Sequence, residues 1–187
     1  HLARAGWLRF SDAIPSTTIR PGKSPIALRV RLSDGSGFDL TEAGTKKSLA
    51  AYIVGDVTAV PRIVSLGPDP LGEDFTLEVF SQIAASHRMQ VKGMLRDQSI
   101  IAGIGNAYSD EILHAARISP FHPCSSLTDD EVGLLYDCMR ATLSTAIDNS
   151  VGHGTGTLKA EKKANLAVHG RAGQACPKGL RGPAGAG

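Results

Sequence analysis

Val91-Lys-Gly-Met-Leu-Arg-Asp-Gln-Ser-Ile100 runs straight into Ile101-Ala-Gly-Ile-Gly-Asn-Ala-Tyr-Ser-Asp110 and Glu111-Ile-Leu-His-Ala-Ala-Arg117. Apolar spacing predicts one helix from about Met89 to Arg96 and another from about Ala107 to Arg117, the second stopped by Pro120 and Pro123. Between them Gln98–Asn106 carries Gly103 and Gly105, which let a ligand come close to the backbone. The Asn106 side chain and the free N–H groups of the following helix start can meet an anion, and a nucleic-acid phosphate suits that geometry. The same residues also read as a tight interhelical turn with Asn106 as an ordinary N-cap, and the sequence alone leaves both readings open. The segment is not a dinucleotide fingerprint, since the third glycine is missing and a helix, not a strand, precedes it. Gly152-His-Gly-Thr-Gly-Thr-Leu-Lys159 is not a phosphate loop, because it lacks the adjacent Gly-Lys-Ser/Thr.

Working outward, a helical region spans 73–151. Asp74 is the expected cap of a helix with Leu77, Phe80 and Ile83 at helical spacing. Downstream, Thr128 and Glu131 form a capping box, and Leu135, Cys138, Met139, Thr142, Leu143, Ala146 and Ile147 make one stripe. Residues 1–60 read as β, within a first domain spanning 1–66. Ile26–Leu32 alternates apolar and polar side chains, turns at Ser33-Asp34-Gly35 and resumes at Phe38–Leu40, with Trp7–Phe10 and Leu49–Val54 as further strand candidates. Leu49–Val54 also reads as a helix start. Leu66-Gly-Pro-Asp-Pro-Leu71 is a proline-broken connector, giving a linker at 67–72. Residues 152–187 form a Gly-rich, basic tail expected to be mostly disordered at its end. The class is α+β.

Composition sets the outer bounds. The chain has 187 residues, 42% of them hydrophobic and 20% charged, which excludes wholesale disorder. No apolar run is long enough to cross a membrane as a helix, and no basic-then-apolar leader is present, so a cytoplasmic, reduced protein is expected. The three cysteines, Cys124, Cys138 and Cys176, form no CxxC pair, so neither a disulfide framework nor a zinc site is complete. The net charge is only +2, but residues 151–187 hold six basic side chains against Glu161, a net of +5. That leaves −3 for residues 1–150. A basic tail on a near-neutral body is an electrostatic handle for nucleic acid, although such runs are more often solvated faces.

Lys92–Gln98, Ile101–Leu113 and Ala116-Arg-Ile-Ser-Pro120 together closely resemble the helix-two-turn-helix region of the formamidopyrimidine-DNA glycosylase/endonuclease VIII family. Weaker similarities lie in His1-Leu-Ala-Arg-Ala-Gly6, Leu32-Ser-Asp-Gly35, Leu66–Leu71 and Val168-His-Gly-Arg-Ala-Gly-Gln-Ala-Cys-Pro177, the last resembling the entry to the family's zinc finger. The resemblance implies a partial N-terminal β-sandwich, a helix-two-turn-helix domain and an incomplete zinc finger, in a chain truncated at both ends. It also implies base-excision DNA repair: flipping a damaged base, cleaving its glycosidic bond and nicking the strand at the abasic site. The partner implied is double-stranded DNA, damaged or abasic, bound by a monomer in the cytoplasm at the nucleoid.

Residue by residue, Lys92 and Asn106 would grip phosphates on either side of the lesion, with Gly103 and Gly105 permitting close approach. Arg171, Lys159, Lys162 and Lys163 would add backbone contacts, and so would Arg4. The family's catalytic proline-glutamate start has no match here, so no catalytic residue is assigned and the chain as given is expected to be inactive. Its amine nucleophile would otherwise form a Schiff base that serves as electron sink. Where the family fills the void of the flipped base, this sequence offers Arg4 in place of a methionine and Thr41–Lys47 in place of an arginine-phenylalanine loop. The family binds one structural zinc through four cysteines, but Cys176 is a lone remnant ligand and no bound metal is expected. His87, His114, His122, His153 and His169 show no ligand spacing and read as surface or capping residues. The rival expectation is a non-catalytic nucleic-acid-binding or scaffolding protein built on the same helical module.

Overall fold

The computed structural model describes residues 6–19, 24–42, 47–149, 166–171 and 173. The chain divides into two compact units, His1–Val60 and Pro61–Gly187. The connector read at 67–72 therefore lies inside the second unit.

In the first unit, β1 (Gly6–Ser11), β2 (Ile26–Arg31) and β3 (Gly37–Glu42) form an antiparallel sheet in the order β1-β3-β2. All three strands coincide with the alternating stretches of the sequence. The register aligns Leu8 and Phe10 with Leu40 and Phe38, and those with Leu28 and Val30, so these six apolar side chains share one face. The opposite face carries Arg29, whose guanidinium grips both oxygens of Asp39 at 2.7 and 2.8 Å. Leu49–Val54 is neither a strand nor a helix. The Ser48 and Leu49 amides donate instead to the Glu42 carboxylate, at 2.6 and 2.7 Å, which removes them from any ladder. That carboxylate is held below its usual range by those two bonds.

The second unit holds α1 (Pro61–Val64), α2 (Leu77–Ser86), α3 (Val91–Arg96), α4 (Asn106–Ala116) and α5 (Asp129–Asp148). Three boundaries differ from the sequence expectation. Thr76, not Asp74, caps α2, its hydroxyl accepting from the Val79 amide. Helix α3 starts two residues later than expected, because the Met89 carbonyl accepts from Cys124 and Gln90 bridges to Pro123. Helix α4 starts at Asn106 with Gly105 as its N-cap, and ends where Arg117 turns left-handed at φ 56°. The Thr128–Glu131 capping box on α5 is present as read.

The core is formed by Phe75, Phe80, Met94, Leu95, Ile112, Leu135 and Met139, all inaccessible to solvent or nearly so. Tyr136 stacks near Phe75 and donates its hydroxyl to the Phe75 carbonyl at 2.8 Å. The apolar stripe of α5 outlasts this core: Leu143 is partly buried against it, whereas Ile147 is exposed. Arg140 of α5 donates to the Pro70 carbonyl at 2.8 Å, fastening the proline connector to the helical unit.

Candidate nucleic-acid interface

The turn between α3 and α4 is a built structure. Asp97 closes its first half, accepting the Ser99 amide and hydroxyl on its side chain and the Ile100 and Ile101 amides on its carbonyl. These bonds with Ser99 hold the Asp97 carboxyl below its ordinary value. Gln98 spans the second half, its amide donating to the Ile104 carbonyl (2.8 Å) and its side-chain oxygen accepting the Gly103 amide (2.9 Å). The connector braces the turn from behind, Gly67 donating to the Gln98 carbonyl and Ala102 to the Pro68 carbonyl. Only glycine fits at 67, since a Cβ there would lie 2.4 Å from the Ile100 carbonyl oxygen.

Two isoleucines fix which side of the turn faces out. Ile101 and Ile104 are fully buried, while Gly103, Gly105 and Asn106 are exposed. Gly103 has φ 83°, which disfavours side chains, yet nothing lies within 4 Å of a Cβ built at 103 or 105. Intramolecular crowding gives no reason for glycine at 105. No side chain caps α4 and its first turn carries no acidic residue, so its positive dipole end is open. Asn106 is therefore the first helical residue and not the N-cap; its carbonyl accepts the Ser109 hydroxyl at 2.8 Å.

One turn further along the same helix face, Asp110 collects two partners. Its Oδ1 pairs with Lys92 Nζ at 2.5 Å, and its Oδ2 with His169 Nδ1 at 2.7 Å. Burial raises the Asp110 carboxyl, but the hydrogen bonds and charges of Lys92 and His169 outweigh it and leave the group below its ordinary value. The neighbouring Glu111, nearly buried, accepts the backbone amides of Ala167, Val168 and His169 at 2.8, 3.0 and 2.9 Å. Segment 166–171 is thus tied to α4 by two consecutive carboxylates. It carries Arg171, which is exposed and whose amide donates to the Val168 carbonyl.

The structure therefore brings together four of the residues singled out above, Lys92, Gly103, Gly105 and Asn106, and ties the segment bearing Arg171 to the same helix. Arg4, Lys159, Lys162, Lys163 and Cys176 lie outside the described residues. Lys47 is described, and its amine donates to the Glu42 carbonyl. His169, read as a surface residue, is half-buried and bonded to Asp110; Asp110, Glu111, Gln98 and Gly67 were not singled out. The Asp-Glu pair two residues after Tyr108 carried no local signal, because acidic residues on a helix ordinarily read as a solvated face.

Cys124 is buried with its Sγ 3.6 Å from Met94 Sδ, and Cys138 sits on α5. Among the described residues no group of three or more His, Cys, Asp or Glu side chains is placed to hold a metal. No helix among them is long and apolar enough to cross a membrane.

Helices α3 and α4 with their glycine turn define a helix-two-turn-helix module, and the formamidopyrimidine-DNA glycosylase H2TH domain matches residues 66–158. A formamidopyrimidine-DNA glycosylase-like protein of Mycobacterium tuberculosis is 42% identical over 121 residues, covering 65% of this chain and 75% of the relative. The formamidopyrimidine-DNA glycosylase of Moorella thermoacetica is 32% identical over 188 residues, covering 95% and 65%. The crystal structure of the MutM (Fpg) protein from Thermus thermophilus superposes with a TM-score of 0.68 at 26% identity, over 93% of this chain and 65% of that one. The Lactococcus lactis enzyme bound to DNA containing an AP site gives 0.72 at 24% identity over 95% and 64%, a likeness of fold. The chain belongs to the formamidopyrimidine-DNA glycosylase family, a family of DNA-repair proteins. Across eight curated relatives that it matches, it spans 42% to 75% of their length.

Proposed function

We propose that this chain binds double-stranded DNA at damaged or abasic positions as a monomer, gripping the phosphate backbone. The carrying observation is the open, uncapped start of α4, with exposed Gly103, Gly105 and Asn106 around it and the Lys92 ammonium one turn along the same face. Backbone N–H groups at a helix start, an amide side chain and a lysine make a phosphate site, and open glycines admit the strand closely. Arg171, with Lys159, Lys162, Lys163 and Arg4, adds sequence-independent contacts. The Lactococcus lactis relative solved with AP-site DNA supports an abasic duplex as the partner. The role assigned to these residues is DNA binding, with no residue assigned to excision.

The test measures affinity for abasic and intact duplexes at two salt concentrations, alongside borohydride trapping on the abasic duplex. Binding that falls steeply with salt and weakens on Asn106→Ala supports the reading, and salt-insensitive or Asn106-independent binding removes it. Equal affinity for abasic and intact duplexes would favour a general nucleic-acid-binding role on the same module. A trapped covalent adduct would overturn the expectation that the chain as given is inactive.

A further inference from the structure

We propose that Asp110 is the positioning residue of this phosphate site: it fixes the Lys92 ammonium beside the open start of α4, ready for a phosphate. The proposal rests on the DNA-binding reading above. Lysine carries its charge on a flexible four-carbon stem, so a phosphate must otherwise immobilise it at the moment of binding. Here Asp110 Oδ1 has already fixed the ammonium at 2.5 Å, with Asp110 four residues after Asn106 and so on the same face of α4. An ammonium has three donors, and the carboxylate occupies one, leaving two for a phosphate.

The second oxygen of Asp110 meets His169 Nδ1 at 2.7 Å. An ionised carboxylate accepts only, so Nδ1 carries the hydrogen. The groups facing Asp110 are Lys92 from α3 and His169 from segment 166–171. Beside it on α4, Glu111 has both oxygens occupied by the three backbone amides of 167–169. His169 thus meets the carboxylate on its far oxygen and leaves Oδ1 to Lys92.

The experiment uses the full 187-residue chain and a fluorescent duplex carrying a tetrahydrofuran abasic analogue, with dissociation constants measured at several salt concentrations. Lys92→Ala should weaken binding and lower the salt slope by about one counterion. Asp110→Asn should weaken binding on the order of tenfold, the worth of one charge-assisted hydrogen bond. In a Lys92→Ala background it should cost nothing further. Tighter binding by Asp110→Asn, or an effect additive with Lys92→Ala, overturns the proposal. Should Asp110→Asn fail to fold by circular dichroism, Asp110→Glu, which keeps the charge and moves the carboxylate by one methylene, decides in its place: a loss of affinity that vanishes in the Lys92→Ala background supports the proposal, and parental affinity overturns it. A parent chain whose salt-sensitive binding depends on Lys92 but is unchanged by Asp110→Asn sinks only this inference. One that shows no salt-sensitive binding sinks the DNA reading and this inference with it.

Discussion

Glu111→Gln should release segment 166–171 from α4 without unfolding the helical unit. The wild-type carboxylate takes three backbone amides, Val168 and His169 on Oε1 and Ala167 on Oε2, all between 2.8 and 3.0 Å. Glutamine has the same shape but only one acceptor oxygen. If that oxygen keeps Val168 and His169, the new NH₂ points at the Ala167 amide, donor against donor. One charge-assisted bond is lost and the other two become neutral, a cost of about 1.5–3 kcal/mol. Because the segment is held to α4 through this carboxylate, the cost should appear as local opening and not as a global transition. At about 1.4 kcal/mol per factor of ten, amide hydrogen exchange at Ala167, Val168 and His169 should speed up about 10- to 150-fold. Amides in the middle of α5 should keep their rates. The segment carries Arg171 and His169, so DNA affinity should fall with the same substitution. Unchanged protection at the three amides would refute the argument, and so would equal acceleration along α5.

Two glycine substitutions separate backbone strain from steric collision. Gly103→Ala meets empty space and suffers only its φ of 83°, so urea titration should show a loss of about 1–2 kcal/mol. Gly67→Ala drives a Cβ to 2.4 Å from the Ile100 carbonyl oxygen and should cost visibly more in a thermal melt, because the connector must pull away from the turn. The Asp110 carboxyl lies lower folded than unfolded, so its stabilisation is fully present above the unfolded value of about 3.9 and is lost as pH falls through the folded one. Chemical denaturation across that window should give a steeper acid limb for the parent than for Asp110→Asn. Elemental analysis of the purified chain should find no stoichiometric zinc; one zinc per chain would mean that donors beyond Cys176 complete a site.

The parts of this molecule that sequence carries well are those set by neighbours in the chain. The alternation in Ile26–Arg31, the Thr128–Glu131 capping box and the Ile101-Ala-Gly-Ile-Gly-Asn106 turn are each decided within a few residues, and each appears in the structure where it was read. The boundaries missed were decided from farther away. Met89 and Gln90 look helical until Cys124 and Pro123 claim them from more than thirty positions downstream. Leu49–Val54 has strand composition, but the Glu42 carboxylate takes its leading amides before any ladder can. From Val91 onward the helical periodicity holds, because Val91, Met94 and Leu95 share the buried face of α3.

The same reasoning explains why the glycine turn was legible as a site and its supporting residues were not. A lysine, an asparagine and two glycines around a helix start are recognisable by type, since each brings a property that a phosphate needs. Asp110 and Glu111 bring the opposite charge, and next to a phosphate they would read as a liability. Their value lies in partners 56 to 59 residues away, three backbone amides and one imidazole, together with a lysine on the preceding helix. A carboxylate that spends its charge inside the protein repels a ligand far less than a free one, and it fixes the cations that attract it. Judging an acidic residue beside a nucleic-acid surface therefore requires knowing what already occupies its oxygens, and no local pattern encodes that.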